Sequence, residues 1–206
     1  MNNVFAIAAV AAASSVALGQ VELTTNGNFE TGDTSGWQDF PTGDSSFGVT
    51  GDSFAGAFAG DLSNVATGSA AVIKQANLAA GGLLEAGQTV NISFWAKGEG
   101  AAGGVSFAEF FSELDGGGTS SAEILGGAPL ALTSEYQFFS FTTVTGADVS
   151  GGVTLQFTAT TGANIGSTQQ LFIDDVSVTV DRLVPSPGAI AALGLGGLVA
   201  TRRRRA

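Results

Sequence analysis

The sequence contains no cysteine and no histidine among its 206 residues. These absences exclude disulfides, thiol catalysis and thiolate metal sites, and they remove the commonest general base and the commonest zinc ligand. Charged residues are also scarce, at 12% of the chain, which is about half the usual share. An exported domain of this size can depend on its core alone, so the lack of disulfides is compatible with secretion.

Basic side chains are almost missing from the middle of the chain. Between Glu22 and Arg182, three basic residues stand against all 18 acidic ones, which gives this part a net charge of −15. Such a surface repels phosphate backbones, so nucleic acid is excluded as a partner. The charge suits a soluble outer-surface protein, or one that meets divalent cations.

Residues 1–19 have the order of parts of a secretory signal peptide. An Ala-rich apolar run covers 4–18, and Ala17 and Gly19 place small residues at positions −3 and −1 before Gln20. No Lys or Arg precedes this run, so the amino terminus supplies its positive charge. A buried N-terminal helix is the alternative interpretation.

The C-terminal end combines a proline motif, an apolar run and a basic cluster. Residues 182–187 form a linker, and residues 188–206 are predicted to form an apolar helix with an arginine tail. The motif consists of Val184, Pro185, Ser186 and Pro187, and the tail contains Arg202, Arg203, Arg204 and Arg205. The apolar run is short for a membrane span, which needs about 20 residues. Because arginines stay on the cytoplasmic side, we predict a marginal membrane stop with the bulk of the chain outside.

This tail resembles the PEP-CTERM sorting signal of bacterial envelope proteins, although Ser186 stands where that family usually has Glu. The resemblance implies recognition by an exosortase-type membrane enzyme. It also implies membrane contact through the C-terminal helix before processing, and then release or attachment at the cell surface, outer envelope or extracellular matrix. An ordinary C-terminal membrane anchor is the alternative.

Residues 20–181 show the alternation of apolar and polar side chains that is typical of strands. The pattern is clear in 89–97, 153–157 and 176–180, and pairs of glycines between such runs indicate turns. Segment 103–114 fits a strand or a helical turn, and its flanking glycines favour a strand. We therefore predict an all-β fold, an antiparallel β-sandwich, with helices confined to the signal and C-terminal segments.

The order of these segments resembles carbohydrate-binding modules of families 4, 9 and 22, which are galactose-binding-like β-jelly rolls. The opening Asn-Gly-Asn-Phe-Glu at 26–30 and the closing Ile-Asp-Asp-Val at 173–176 carry the resemblance most specifically. The resemblance implies a jelly roll, and it fixes the fold better than the ligand. Our leading hypothesis is non-catalytic binding of a carbohydrate or exopolysaccharide. The alternative is a structural or adhesive matrix protein that binds no free sugar.

The family often holds a structural calcium ion between its first and last strands, and the resemblance implies one here. The ligands implied are Glu30 and Asp174, with carbonyl groups near Asn28 and the carboxylate of Asp52. Calcium takes about six to eight oxygen ligands, which suits this set. The alternative is that Glu30 binds backbone amides and Asp174 caps a turn. Asp175 is a second choice, because a regular strand turns it to the opposite face.

Saccharide binding needs an aromatic platform beside groups that form hydrogen bonds with hydroxyls. Trp95 lies on the polar side of its predicted strand and is the strongest candidate, and Tyr136, Glu109 and Gln156 are weaker partners. Packing inside the protein is an equal alternative for Trp95. Trp37 is predicted to belong to the core.

We predict that the protein is not an enzyme. Its lack of His and Cys removes most nucleophile and base pairs, and no serine motif is recognisable. Paired carboxylates can hydrolyse glycosides. Glu109 and Glu113 would be such a pair only if other features agreed, and we expect both to be solvated surface side chains.

Overall fold

The computed structural model describes residues 20–183. The predicted signal peptide, the sorting motif at 184–187, the C-terminal helix and the arginine cluster lie outside these residues. Within the described part, the structure has no helix with the length and apolar character that a membrane span requires.

Residues 20–183 form eleven strands and one short 3-10 turn, Leu125–Gly127. The predicted strand within 103–114 is confirmed. The strands are β1 (Val21–Glu22), β2 (Gln38–Phe40), β3 (Ser45–Thr50), β4 (Ala59–Asn64), β5 (Ala70–Leu78), β6 (Thr89–Ala101), β7 (Val105–Glu113), β8 (Thr119–Ile124), β9 (Gln137–Val144), β10 (Gly152–Thr160) and β11 (Thr168–Val180).

The strands build two antiparallel sheets that pack face to face. The six-stranded sheet has the order β3-β4-β11-β6-β9, with β1 paired to β11, and the five-stranded sheet has the order β2-β5-β10-β7-β8. All strand pairs are antiparallel. The predicted all-β antiparallel sandwich is therefore confirmed for the described residues.

Alternation along each strand separates the core from the outer faces. In β6, the apolar side chains of the alternating run are fully buried: Val90, Ile92, Phe94 and Ala96. The apolar positions of the alternating runs in β10 and β11 are buried as well: Val153, Leu155, Phe157, Val176, Val178 and Val180. Each fully buried aliphatic or Phe side chain contributes about 1.5–3 kcal/mol relative to exposure. The inner faces thus hold the sheets together through their apolar side chains.

A chain of aromatic rings runs through the core. Phe29 stacks on Trp37 with ring centres 5.5 Å apart, and Trp37 lies 6.0 Å from Phe157. Phe157 meets Phe94 edge to face at 4.9 Å. The indole nitrogen of Trp37 donates a hydrogen bond to the carbonyl oxygen of Asn26 at 3.2 Å. The prediction that Trp37 belongs to the core is confirmed.

Glu22 joins the first strand to the last. Its Oε1 accepts hydrogen bonds from the amides of Thr24 (2.8 Å) and Val178 (3.0 Å), and the hydroxyl of Ser177 donates to Oε2. Partial burial raises the pKa of the Glu22 carboxyl, but these hydrogen bonds outweigh burial and lower the pKa below its ordinary value. The ionised form therefore stabilises the closure of the sandwich.

Gly60 in β4 tests the packing of this aromatic core. An added Cβ at Gly60 meets Cζ of Phe29 at 2.6 Å and Cγ1 of Ile173 at 3.1 Å. We expect Gly60→Ala to lower the free energy of unfolding by about 1–3 kcal/mol, because overpacking forces neighbours from their rotamers. Gly48→Ala is the matched control, since no atom lies within 4 Å of its added Cβ on β3. Equal denaturation midpoints for the two variants would contradict this packing.

Candidate functional site

The outer face of the five-stranded sheet carries a row of side chains from all five strands. Cross-strand neighbours on one face lie about 5 Å apart, so the row makes a continuous surface. We call it the central row, and its directly paired members are Gln38, Lys74, Gln156, Glu109 and Ile124.

A hydrogen-bond network fixes the middle of the central row. Oε2 of Glu109 accepts hydrogen bonds from Nε2 of Gln156 at 2.8 Å and from Oγ1 of Thr158 at 2.7 Å. Bonds to a carboxylate are stronger than bonds between neutral groups, so they hold the amide of Gln156 in one orientation. A carboxamide has two donor hydrogens and a carbonyl acceptor. Nε2 of Gln156 donates to Glu109 and also to Oγ1 of Thr158 at 3.4 Å.

Aromatic side chains stand next to the central row. Phe40 and Phe107 belong to the neighbouring row, in which Val72 and Thr158 lie between them. Phe40 is 47% exposed, and Nζ of Lys74 lies 4.9 Å from the centre of its ring. This face therefore combines an accessible ring with a cation, an amide and a carboxylate.

A polar groove of ≈ 410 Å³ extends this face beyond the central row. Lys74 and Glu113 line it from β5 and β7, and the glycine turn at 116–117 lines it from the next loop. Oγ1 of Thr154 donates to Oε1 of Glu113 at 2.8 Å, which holds that carboxylate at the groove. Because Lys74 belongs to both the row and the groove, the two form one elongated polar surface.

The outer face of the opposite, six-stranded sheet carries an aromatic strip formed by Phe54, Trp95 and Phe138. Phe54 stacks on Trp95 with ring centres 3.7 Å apart, and Phe138 lies 5.3 Å from Trp95. Phe54 is 41% exposed and Phe138 is 56% exposed, whereas Trp95 is half-buried. Trp95 thus lies on the outer face, as its polar neighbours in β6 indicate, but Phe54 covers one side of its indole.

Tyr136 and Lys97 lie beside this aromatic strip. The Tyr136 hydroxyl donates to the carbonyl oxygen of Asp52 at 2.7 Å. Nζ of Lys97 lies 4.9 Å from the Tyr136 ring centre and 2.7 Å from the Asp52 carboxylate. Burial, together with the negative charges of Asp174, Asp52 and Asp61, raises the pKa of Tyr136 well above its usual range. The hydroxyl therefore remains a protonated donor.

Two carboxylates hold the loop 51–58 against the six-stranded sheet. Oδ2 of Asp174 accepts hydrogen bonds from two consecutive loop amides at 2.9 and 3.0 Å. Oε1 of Glu30 accepts two further loop amides at 2.8 and 2.9 Å. Burial raises the pKa of Asp174 despite the opposing effect of its amide donors. Both carboxylates thus accept amides of the loop 51–58.

An irregularity in β11 places Asp174 beneath this loop. The pairing register with β6 shifts between Asp174 and Ser177, and Asp175 has a φ of 47°. A bulge of this kind turns consecutive side chains out of strict alternation. Asp174 is fully buried and Asp175 is exposed, so Asp174 is the carboxylate that reaches the loop.

Calcium stays a prediction of the family resemblance. The predicted donors are all oxygen atoms, which suits the ion, but within residues 20–183 no three acidic side chains cluster in a way that could hold a metal. Asp52 is paired with Lys97, and Oδ1 of Asn28 accepts the amide of Glu30 at 3.3 Å.

The four predicted saccharide ligands are divided into two pairs. Glu109 and Gln156 are hydrogen-bonded neighbours on the five-stranded sheet. Trp95 and Tyr136 lie at the outer face of the other sheet. The ring centre of Phe54 is 3.7 Å from that of Trp95 and 6.0 Å from that of Tyr136. Because the sheets pack through their inner faces, the two pairs lie on opposite outer surfaces of the sandwich. They cannot contact the same sugar ring.

Lys74, Phe40 and Thr158 also lie on the outer face of the five-stranded sheet, and they were not among the predicted site residues. The sequence holds a signal for Thr158, because the alternate positions 154, 156, 158 and 160 of β10 are all polar. Lys74 is one of three cations in 20–183 and occupies an outward position of β5. Its place opposite Gln156 depends on strand pairing, which a single sequence does not reveal.

The chain belongs to a family of carbohydrate binding domains. The model of this family, described as "Carbohydrate binding domain" of the CBM 4 and 9 type, matches residues 21–164, from β1 to the loop before β11. No curated protein matches the sequence.

Solved structures with the same fold include binding modules and other proteins. The CBM22-1 xylan-binding domain of Paenibacillus barcinonensis Xyn10C has a TM-score of 0.52 at 14% identity, over 76% of this chain and 91% of that domain. Bacteriophage CBA120 tailspike protein 4 has a TM-score of 0.58 at 16% identity, over 79% of this chain, which spans 21% of the tailspike chain. A Stig cyclase of Fischerella sp. TAU has a TM-score of 0.57 at 14% identity, over 80% of this chain and 99% of the cyclase chain. At these identities the likeness establishes the fold alone.

The calcium prediction is tested by melting the protein with and without a chelator. If the ion is bound, chelator lowers the melting temperature of the wild type, because the ion stabilises only the folded state. The Asp174→Ala variant then melts at one temperature in both conditions. Asp148→Ala, which alters a carboxylate hydrogen-bonded to Ser150 in a distant turn, keeps the sensitivity. An unchanged wild-type melt in chelator rejects calcium.

Proposed function

We propose that the chain is a non-catalytic module that binds a polysaccharide across the outer face of the five-stranded sheet. The observation that carries the proposal is the central row, where Gln156 is held on Glu109 beside Lys74, with Phe40 exposed next to them. Sugar C–H faces pack on aromatic rings, while hydroxyls bind amides and carboxylates. Family membership supports the same ligand class.

The charge of the domain favours an uncharged polysaccharide. Glu109 belongs to the central row, and Glu113 and Asp115 line the groove. With a net charge of −15 over 22–182, the domain repels uronate-rich or sulfated chains. Neutral chains escape this repulsion and still present hydroxyls to Gln156 and Lys74.

Catalysis is not part of the proposal. Hydrolysis of glycosides by paired carboxylates needs a separation of about 5 to 9.5 Å. Glu109 and Glu113 project from one strand with their Cα atoms about 13 Å apart, so such a separation requires the two side chains to bend toward each other. Both carboxylates also bind neighbouring side chains, Glu109 with Gln156 and Thr158 and Glu113 with Thr154. The family match likewise covers a binding module.

A glycan titration tests this function and separates it from a structural or adhesive role. The full chain is titrated calorimetrically with xylohexaose, cellohexaose and mannohexaose, and we expect at least one of these neutral oligosaccharides to bind. Gln156→Ala should weaken that binding about 2- to 12-fold, since a hydrogen bond contributes about 0.5–1.5 kcal/mol. Phe40→Ala should weaken it as well, through lost ring contact.

Thr142→Ala is the control for these variants, because Thr142 lies on β9 of the opposite sheet and bonds Asn91. We expect its affinity to equal that of the wild type. If no neutral oligosaccharide or polysaccharide binds, the structural or adhesive alternative replaces this proposal. Equal affinities of all three variants would move the site elsewhere.

We also propose that the chain is exported and sorted to the cell surface through its two ends. The support is the signal-like run at 4–18, the proline motif at 184–187 and the basic cluster at 202–205. Replacing the four arginines by serine should shift the protein from the surface or medium to other fractions when cells of an exosortase-containing host are fractionated. The same distribution for both chains would reject sorting by this tail.

A further inference from the structure

We propose a second saccharide-binding surface on the outer face of the six-stranded sheet, so that one domain holds two neutral polysaccharide chains on opposite sides. The surface begins at the aromatic strip of Phe54, Trp95 and Phe138 and continues along β6. This inference rests on the proposed function for the nature of the ligand, but it concerns a different face.

The aromatic strip provides a platform for sugar rings. Phe138 is 56% exposed and Phe54 is 41% exposed, and both lie against the indole of Trp95, at 5.3 and 3.7 Å between ring centres. Exposed rings grouped in this way are costly in water, whereas the C–H face of a sugar can cover them.

Hollows beside β6 extend the strip into a track. One hollow of ≈ 140 Å³ is lined by Lys97, Glu99, Gln170 and Phe172 among others, and a second of ≈ 190 Å³ shares Glu99 and Gln170 with it. Trp95, Lys97 and Glu99 are successive outward residues of β6, about 7 Å apart. The platform therefore leads directly into groups that can bind hydroxyls.

The polar groups on this track suit a neutral saccharide. Gln170 presents a carboxamide and Glu99 a carboxylate next to the ring of Phe172, which is the mixture that sugar hydroxyls and C–H faces require. The charge of Lys97 is already balanced by Asp52 at 2.7 Å. A polyanion therefore finds no unbalanced cation here, and a second copy of this acidic domain is repelled.

The platform is held rigid before any ligand arrives. Phe54 belongs to the loop 51–58, whose amides are bound by Asp174 and Glu30. The Asp52 carbonyl of the same loop accepts the hydroxyl of Tyr136 at 2.7 Å. A preordered surface loses less conformational entropy on binding, so Phe54 is ready to stack with a ligand. This assigns Trp95 and Tyr136 to the second surface and Glu109 and Gln156 to the first.

The number of oligosaccharides bound per chain tests the inference. Calorimetric titration of the full chain with the neutral hexasaccharide that binds, xylohexaose being the first probe, should give two per chain. Phe138→Ser should reduce the number to one, and Gln156→Ala should weaken the other event. Val144→Ser is the matched control, since Val144 is 55% exposed on the same face of β9 and lies away from the strip. It should keep two.

The outcomes separate the two surfaces. One hexasaccharide per wild-type chain that Phe138→Ser still binds, or two bound by Phe138→Ser, overturns the second surface and leaves the five-stranded face in place. If Phe138→Ser loses all binding and Gln156→Ala keeps the wild-type affinity, the strip is supported and the site on the five-stranded sheet is overturned. Sugar-free self-association in sedimentation that Phe138→Ser abolishes identifies a protein interface and overturns the inference. Failure of every neutral hexasaccharide to bind overturns both proposals.

Discussion

Strand β10 lies at the centre of the five-stranded sheet, and its strict alternation serves the core and the candidate site together. Leu155 and Phe157 are fully buried between the sheets, while Gln156 and Thr158 bind Glu109 on the outer side. A slip of one residue would exchange these two sets. It would expose two side chains whose burial contributes about 1.5–3 kcal/mol each. The hydrophobic core therefore fixes the position of the central row.

The two outer faces are built by different means. On the five-stranded sheet, strand pairing alone brings Lys74, Gln156 and Glu109 into one row. On the six-stranded sheet, the loop 51–58 adds Phe54 to Trp95, and the buried carboxylate of Asp174 holds that loop. The first surface thus depends on register, and the second depends on an anchored loop. Changes to the loop should affect one face without disturbing the other.

Much of the fold follows from local pattern, but the arrangement of the site does not. The apolar faces of β6, β10 and β11 were predictable because period-two alternation is local, and the flanking glycines indicated the strand nature of β7. The separation of Trp95 from Glu109 onto different sheets depends on pairings between distant strands. Phe54 covers Trp95 because Asp174 holds the loop that carries Phe54. Asp174 reaches this loop at a register shift, which regular alternation does not predict.

The measurement that tests the central claim most directly is a two-dimensional amide NMR titration of the full, isotope-labelled chain with its neutral hexasaccharide. The claim is that a saccharide lies across the outer face of the five-stranded sheet. It predicts large shift changes for the side-chain amide of Gln156 and for the backbone amides of β5, β7 and β10. Shift changes confined to the loops or to the six-stranded sheet, with the Gln156 amide unmoved, would contradict the claim.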